Sequence, residues 1–252
     1  MRASKVKKTP VENTPTPTPV SNSMNFYETI PKHFLDSKLE NPNIEEHNFS
    51  IPFRGVVVAP SGSGKTNFVA NLIKIFSKGK GTFVTITIIC KDKDEPIYKY
   101  LASLSDAIQI KEGGLENLPD LNKADKEVPT LLIIDDQQLE RRQNGVEEYY
   151  IRCRKKGVSI LYLAQNYYVV PIVIRRNCNY LIILKLAGEK EIKTMLKEVG
   201  LGLTKEQLIN MYQYATNEKF NVLIIDYEST DINHRYRKNF TQYLQPADFV
   251  SK

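Results

Sequence analysis

Residues 55–66 run GVVVAPSGSGKT, an apolar stretch that ends in a glycine-rich turn and a Lys-Thr pair. The continuous apolar run Gly55–Ala59 predicts a strand buried on both faces. Lys65 to Ser77 predicts a helix, with Phe68, Val69, Leu72, Ile73 and Phe76 spaced to line one face. Between them, Ala59, Pro60, Ser61, Gly62, Ser63, Gly64, Lys65 and Thr66 fill the eight positions of G-x-x-x-x-G-K-[ST], with Ala59 where the first glycine usually stands. That position tolerates a small side chain. Gly62 and Gly64 let successive backbone N–H groups turn inward, and the helix adds its positive N-terminal end, so the segment is shaped to cradle phosphate oxygens. Lys65 reads as the counter-charge to β- and γ-phosphates, the Thr66 hydroxyl as a Mg²⁺ ligand, and Asn67 as the last residue of the nucleotide-binding stretch. A chance glycine-serine turn would not bring strand, loop, Lys-Thr and helix in this order.

A second feature constrains the chemistry. Residues 130–137 read TLLIIDDQ: four apolar residues carry a strand through the core and deliver Asp135 and Asp136 at its C-terminal tip. Ligands of open α/β sheets sit beyond the carboxyl ends of the strands, so both carboxylates are expected to face the phosphates. Asp135 is the candidate Mg²⁺ ligand, and Asp136 is placed to orient or deprotonate an attacking water. One terminal Asp would be an ordinary strand cap; a pair downstream of a phosphate loop is a stronger sign. Residues 158–165, VSILYLAQ, end in Gln165, a candidate sensor of the γ-phosphate or the lytic water.

Strands are also expected at 83–90, 107–111, 180–184 and 221–226, and helices at 96–104, 147–156, 190–199 and 205–214. This alternation predicts an α/β fold of three layers: a mostly parallel sheet with helices on both faces. A whole strand, 83–90, lies in sequence between the phosphate-loop strand and the acidic strand. It predicts an inserted strand between the two in the sheet, the RecA-like, additional-strand (ASCE) arrangement of P-loop NTPases.

Composition narrows partners less than it first suggests. The formal net charge of the 252-residue chain is +6, which invites a nucleic-acid reading. Half of that excess falls in residues 1–24, where Arg2, Lys5, Lys7 and Lys8 face Glu12, so the remainder is mildly basic and a DNA contact needs a local patch. This same segment, with its TPTPTP run, is predicted to be a disordered Pro/Thr/Lys tail, leaving 25–252 as a single ATPase domain. Cys90, Cys153 and Cys178 form no CxxC pair, so buried thiols in a reducing compartment are expected rather than zinc or disulfides. No signal peptide is visible. The uncharged stretch 157–174 is broken by Ser159, Gln165, Asn166 and Pro171, so a strand, a loop and a short second segment are expected, with no stable membrane insertion.

Basic residues cluster at Arg141-Arg142, Arg152–Lys156 and Arg175-Arg176. The helix dipole accounts for cations at a helix C-terminus. The sharper reading is a finger reaching a neighbouring subunit's γ-phosphate, with Arg154 the first choice and Arg175 the second, the others touching DNA phosphates.

Together, APSGSGKT (59–66), ICKDKDEPIYKYL (89–101), LLIIDD (131–136), RKKGVSILYLAQ (154–165), PIVIRRNCNYLIIL (171–184), FNVLIIDYES (220–229) and RYRKNF (235–240) resemble the genome-packaging ATPases of the FtsK–HerA superfamily found in virophages, Polinton-like viruses and nucleocytoplasmic large DNA viruses such as poxviruses. The resemblance covers roughly residues 50–240. It implies an ATP-hydrolysing, DNA-stimulated motor that pumps double-stranded DNA into a preformed capsid. Such a motor works as a homo-oligomeric ring (pentamer or hexamer) beside capsid or portal-vertex proteins, in the virion or host-cell cytoplasm. Lys65, Thr66, Asp135, Asp136 and Gln165 would take the roles given above, with ATP and Mg²⁺ as ligands. The acidic pair, often Asp-Glu in the superfamily, is Asp-Asp here, a shorter second arm. Another FtsK/HerA-type DNA pump, or a non-motor ATP-dependent switch or scaffold in virion assembly, are the alternatives.

Overall fold

The apolar runs assemble into one nine-stranded sheet, in the order β3-β2-β4-β5-β1-β6-β7-β8-β9. The computed structural model describes residues 26–35, 38–137, 139–140, 143–199 and 202–250. The chain divides into two units, Met1–Ser37 and Lys38–Lys252. In the first, the described residues form two single 3-10 turns, Phe26–Glu28 and Lys32–Phe34; the tail expected at 1–24 lies outside the described residues.

The second unit holds the sheet. In chain order its elements are α1 (Ile44–His47), β1 (Arg54–Val58), α2 (Lys65–Phe76), β2 (Thr85–Cys90), α3 (Pro96–Leu104), β3 (Ile108–Glu112), β4 (Thr130–Asp135), α4 (Asn144–Arg152), β5 (Val158–Ala164), α5 (Ile172–Asn177), β6 (Tyr180–Ile183), α6 (Glu189–Glu198), α7 (Lys205–Ala215), β7 (Leu223–Asp226), α8 (Ile232–Arg235), β8 (Tyr236–Lys238) and β9 (Gln242–Tyr243). Strands β1 to β6 pair in parallel, and β7, β8 and β9 continue the sheet antiparallel. The fold is thus a mostly parallel, three-layer α/β sheet, as expected.

The inserted strand is present but is a different one. It is β5, lying between β1 and β4, whereas β2 (within the expected 83–90) lies on the far side of β4. Chain order does not fix spatial order: β5 is buried at every position, and the centre of a sheet covered on both faces is where such a strand loses most apolar surface.

Side-chain alternation splits the core in two. Val56 and Val58 of β1 point into a cluster with Val146, Tyr150, Met195, Leu196 and Met211 from α4, α6 and α7. Val57 and Ala59 point the other way, onto Phe68, Leu72 and Phe76 of α2 and Tyr98 and Leu101 of α3. The helix expected at 147–156 begins earlier, at Asn144, and its last turn, Cys153–Lys156, tightens to a 3-10 turn capped by left-handed Gly157. An added Cβ at Gly157 would meet the Lys126 carbonyl oxygen at 2.7 Å, so only glycine fits where β5 begins. Residues 172–174, Ile-Val-Ile, are helical and follow Pro171. The three cysteines are buried and free. Among the described residues no helix is long and apolar enough to cross a membrane.

His47 closes one corner of this core. It is fully buried, its Nδ1 accepts the Phe49 N–H at 2.9 Å, and the Phe76 ring meets it edge-on at 4.7 Å. Burial, aided by the Arg237 charge, pushes its pKa from 6.5 down to about 4. The neutral ring therefore contributes stability that is complete above pH 6.5 and is lost as the pH falls through 4. The wild type is expected to lose on the order of 3 kcal/mol across that window from this residue alone. In urea titrations at pH 7 and pH 4, His47→Leu should show a correspondingly smaller acid loss; an equal loss in both proteins would exclude His47 as the cause.

Candidate active site

The turn 59–64 stands at the C-terminal edge of the parallel strands. Ala59 N–H bonds the Ala164 carbonyl at 3.0 Å, extending the β1–β5 ladder by one step before the chain turns. Ser63 then folds back on Pro60, through its N–H at 3.3 Å and its hydroxyl at 2.5 Å. Gly62 and Gly64 have φ of +73° and +103°, the left-handed region that glycine enters at little steric cost. Gly64 is the N-cap of α2 and accepts the Phe68 N–H at 2.9 Å. The Lys65 ammonium curls over the loop, donating to the Ala59 carbonyl at 2.8 Å and the Pro60 carbonyl at 3.3 Å.

A cavity of about 420 Å³ opens beside this loop, lined by Ser61, Gly62, Gly64, Lys65, Thr66 and Asn67 on one side and by Asp135, Asp136 and Gln165 on the other. Of the residues expected to bind nucleotide, Ala59, Pro60 and Ser63 do not line it; they shape the turn and anchor Lys65. Asp135 ends β4 and pairs with Leu163 of β5, so the tips carrying Asp135 and Gln165 are adjacent. Asp136 leaves the strand with φ of +54°, a conformation Asp tolerates better than most residues, and is exposed. Gln165 Nε2 donates to Asp136 Oδ1 at 3.3 Å.

Electrostatics distinguish the two carboxylates. Asp135 is only 8% exposed, and burial raises its pKa, although the Tyr98 hydroxyl bond and the Lys65 charge pull the other way. Burial likewise lowers the Lys65 pKa, while Asp135, Asp136 and Glu95 oppose that shift. Lysine and carboxylates therefore hold one another charged in a partly dry cleft.

Two residues without a role in the sequence reading complete the constellation. Tyr98, on α3, is 1% exposed and donates its hydroxyl to Asp135 Oδ2 at 2.5 Å. Glu95, the N-cap of α3, lines the cavity together with Thr66; burial first, and then the Asp135 charge, raise its pKa, while the Thr66 side chain and the Lys65 charge oppose that shift. The signal for Glu95 was present in DEPIY (94–98), an acidic residue before an N1 proline just past a strand tip; no local pattern marks Tyr98. The Thr66 hydroxyl beside two carboxylates is a hard-oxygen donor set, which suits Mg²⁺ completed by phosphate oxygens and water.

The arginines lie elsewhere. Arg154 is exposed in the turn before β5, at the opposite end of that strand from Gln165; seven residues at about 3.3 Å each separate them by roughly 20 Å. Arg175 is committed within its own chain. It pairs with Glu198 at 2.9 Å, donates to the Val170 carbonyl at 3.1 Å, and lies over the Tyr167 and Tyr168 rings at 5.0 and 5.6 Å. Arg141 and Arg142 lie outside the described residues.

A parallel α/β sheet carrying a glycine-rich loop, an acidic pair on a core strand and an inserted strand between them is the P-loop ATPase architecture. The chain belongs to the poxvirus A32 protein family, whose model matches residues 43–239. Its fold is also that of B204, the genome-packaging NTPase of Sulfolobus turreted icosahedral virus 2, solved in complex with ATP-gammaS. There the identity is 14%, the match covers 76% of this chain and 98% of that one, and the TM-score is 0.56. The DNA-packaging ATPase B204 from Sulfolobus turreted icosahedral virus gives 16% identity, 79% and 98% coverage and a TM-score of 0.54. ATPases 2 and 3 of EssC from Geobacillus thermodenitrificans give 11%, 81% and 42%, and 0.53. No curated protein matches the chain in sequence. The resemblance to viral packaging ATPases of the FtsK–HerA superfamily is borne out.

The raised pKa of Asp135 has a consequence for stability. A carboxylate whose folded pKa lies above its unfolded value contributes stability below the unfolded pKa and loses it as the pH rises through the folded pKa. At pH 7 the ionised Asp135 therefore costs stability. Asp135→Asn, which still accepts from Tyr98, is expected to unfold at higher denaturant than the wild type at pH 7, with the gap closing as the pH approaches 3. A less stable Asp135→Asn at pH 7 would refute this assignment.

Proposed function

We propose that this chain is the ATP-hydrolysing subunit of a motor that packages double-stranded viral DNA into a preformed capsid. The observation that carries the catalytic half is the single cavity in which the Lys65-Thr66 pair faces Asp135, Asp136 and Gln165. The family carries the packaging half, supported by neighbours described as genome-packaging enzymes.

The chain's own residues divide the work. The backbone N–H groups of the loop and the Lys65 ammonium neutralise the β- and γ-phosphates. Thr66 and Asp135 would hold Mg²⁺, which would supply neutralisation of the polyphosphate's negative charge. Glu95 orients the Thr66 hydroxyl, and Tyr98 fixes one oxygen of Asp135 so that the other faces the cavity. Asp136 accepts a proton as water attacks the γ-phosphorus and the bond to the ADP oxygen breaks. Gln165, bonded to Asp136, reports the presence of the γ-phosphate to β5. A chain with one ATPase domain gains an arginine most directly from a neighbouring copy. Because Arg175 is engaged internally, exposed Arg154 is the trans finger in this reading. The ring then follows, with duplex DNA as its cargo, capsid or portal-vertex proteins as its docking partners and the virion or host-cell cytoplasm as its place.

Steady-state turnover with and without linear duplex DNA tests the whole. Lys65→Ala is expected to remove measurable hydrolysis. Asp136→Asn should lower kcat by about 10²- to 10⁴-fold with ATP affinity kept. Wild-type turnover should rise with duplex; slow turnover indifferent to DNA would instead favour an ATP-dependent switch or scaffold. Arg154→Ala should lower kcat by about 10³-fold or more only in the assembled state, and inactive Lys65→Ala subunits should restore turnover when mixed with it. Full activity of Arg154→Ala in the assembly would remove the finger assignment.

A further inference from the structure

One family-like segment, FNVLIIDYES, is not used by the hydrolytic site. Its first residue, Phe220, is unusual on three counts. Its φ is +72°, a region that bulky side chains rarely enter. The residue is 46% exposed. And the ring edge rests on the phosphate loop: a Cβ added to Gly64 would meet Phe220 Cδ1 at 2.5 Å and Cε1 at 3.0 Å. Folding does not favour leaving an aromatic half in water on a strained backbone, so the strain points to a use.

The turn that presents it is built, not loose. Asn221 N–H bonds the Glu218 carbonyl at 3.3 Å and Asn221 Nδ2 the Glu218 carboxylate at 3.0 Å. From β8's end, Asn239 donates Nδ2 to Asn221 Oδ1 at 3.0 Å and its N–H to the Val222 carbonyl at 3.0 Å, while its Oδ1 accepts the Val222 N–H at 3.1 Å. The Lys219 ammonium stands 4.9 Å over the ring.

Topology says what the ring faces. Val58, the last residue of β1, is paired with Ile183 of β6, which is paired with Leu223 of β7. The 217–222 turn therefore emerges at the same sheet edge as the phosphate loop, on the β6–β7 side of β1. The groups placed to meet a terminal phosphate from beyond the loop (Asp135, Asp136 and Gln165) lie on the other side, at the tips of β4 and β5. A nucleoside triphosphate is linear. With its γ-phosphate toward β4 and β5 and its β-phosphate on the loop, its base end points to β6 and β7, where the exposed ring waits beside Gly64.

We propose that Phe220 is the platform on which the nucleotide base stacks, with Lys219 over the ring as its cationic partner. The ligand class is a purine nucleoside triphosphate. Stacking alone accepts either purine, because every base presents a π-face. This inference rests on the proposed nucleotide site, deepening it from phosphate recognition to base recognition.

The chain contains no tryptophan, so Phe220→Trp installs a single reporter in the full-length protein. Its fluorescence is expected to be quenched by ATP but not by inorganic tripolyphosphate. In calorimetry, Phe220→Ala should raise the ATP dissociation constant about tenfold while leaving that of tripolyphosphate unchanged. Phe220→Leu, which keeps an apolar contact on Gly64, should match the alanine variant for ATP while retaining the wild-type unfolding midpoint. Equal weakening of ATP and tripolyphosphate would overturn the proposal, since the ring would then only brace the loop. So would unchanged ATP binding in Phe220→Ala or a reporter indifferent to ATP. A wild type that binds neither ligand would overturn the nucleotide site itself; a wild type that binds ATP with an unaffected alanine variant overturns the base platform alone.

Discussion

The structure turns on one unfavourable placement: the Asp135 carboxylate, 8% exposed at the end of a core strand. Taking a carboxylate out of water is costly, and the cost falls only as far as donors and cations are arranged around it. Here the arrangement draws on separate segments. Tyr98 comes from the helix after β2, and Lys65 from the helix after β1. Neither helix could be moved without stranding the carboxylate, so the site holds the relative position of α2, α3 and β4. Residual strain remains, visible as the raised pKa of Asp135 and the lowered pKa of Lys65. A bound polyphosphate with its metal would supply the charges that this arrangement anticipates, which is how a preorganised site differs from a merely polar one.

Parallel pairing makes that convergence possible. With β1, β4 and β5 running the same way, their last residues share one edge of the sheet, and each following turn begins where the previous strand's chemistry ends. The glycine loop, the acidic pair and Gln165 thus need no long loops to meet. The antiparallel continuation through β7 adds a different geometry. It brings the beginning of a strand, not its end, to the same edge, and with it the strained turn holding Phe220.

Much of this was legible in the sequence because it is local. The phosphate loop is written in contiguous residues whose conformations follow from glycine at 62 and 64, and β4 with its exit is written in four apolar residues followed by two acids. The elements of the parallel sheet were found close to their observed ends. What was not legible depends on tertiary neighbours. Chain order named 83–90 as the inserted strand; the sheet placed 158–164 there, because its unbroken burial can be satisfied only at the centre. Tyr98 looked like one aromatic on a short amphipathic helix, and nothing local says that its hydroxyl ends on a carboxylate 37 residues away. Glu95 was given no role of its own. Ile172, Val173 and Ile174 carry strand-forming side chains yet form a helix after Pro171, and the arginine that follows is held by a glutamate on α6 that no short-range pattern foretells.

In the proposed motor, β5 does more than fill the centre of the sheet. Its C-terminal tip carries Gln165, bonded to Asp136, and its N-terminal end follows directly from the turn holding Arg154. Between them every residue is buried, and residues 160–163 are laddered on both sides, to β1 and to β4. Such a strand is stiff, because sliding it would break two ladders at once and bending it would open voids in a close-packed core. Gly157, fixed by its left-handed conformation against the Lys126 carbonyl, removes slack at the far end. In the proposed motor this strand is the direct covalent path between the γ-phosphate sensor and the arginine offered to a neighbouring copy. The reciprocity is thermodynamic: whatever coupling lets nucleotide state reposition the arginine must let the arginine's partner alter nucleotide affinity by the same factor. For a ring of identical copies, that is the minimum device for ordering hydrolysis from one subunit to the next.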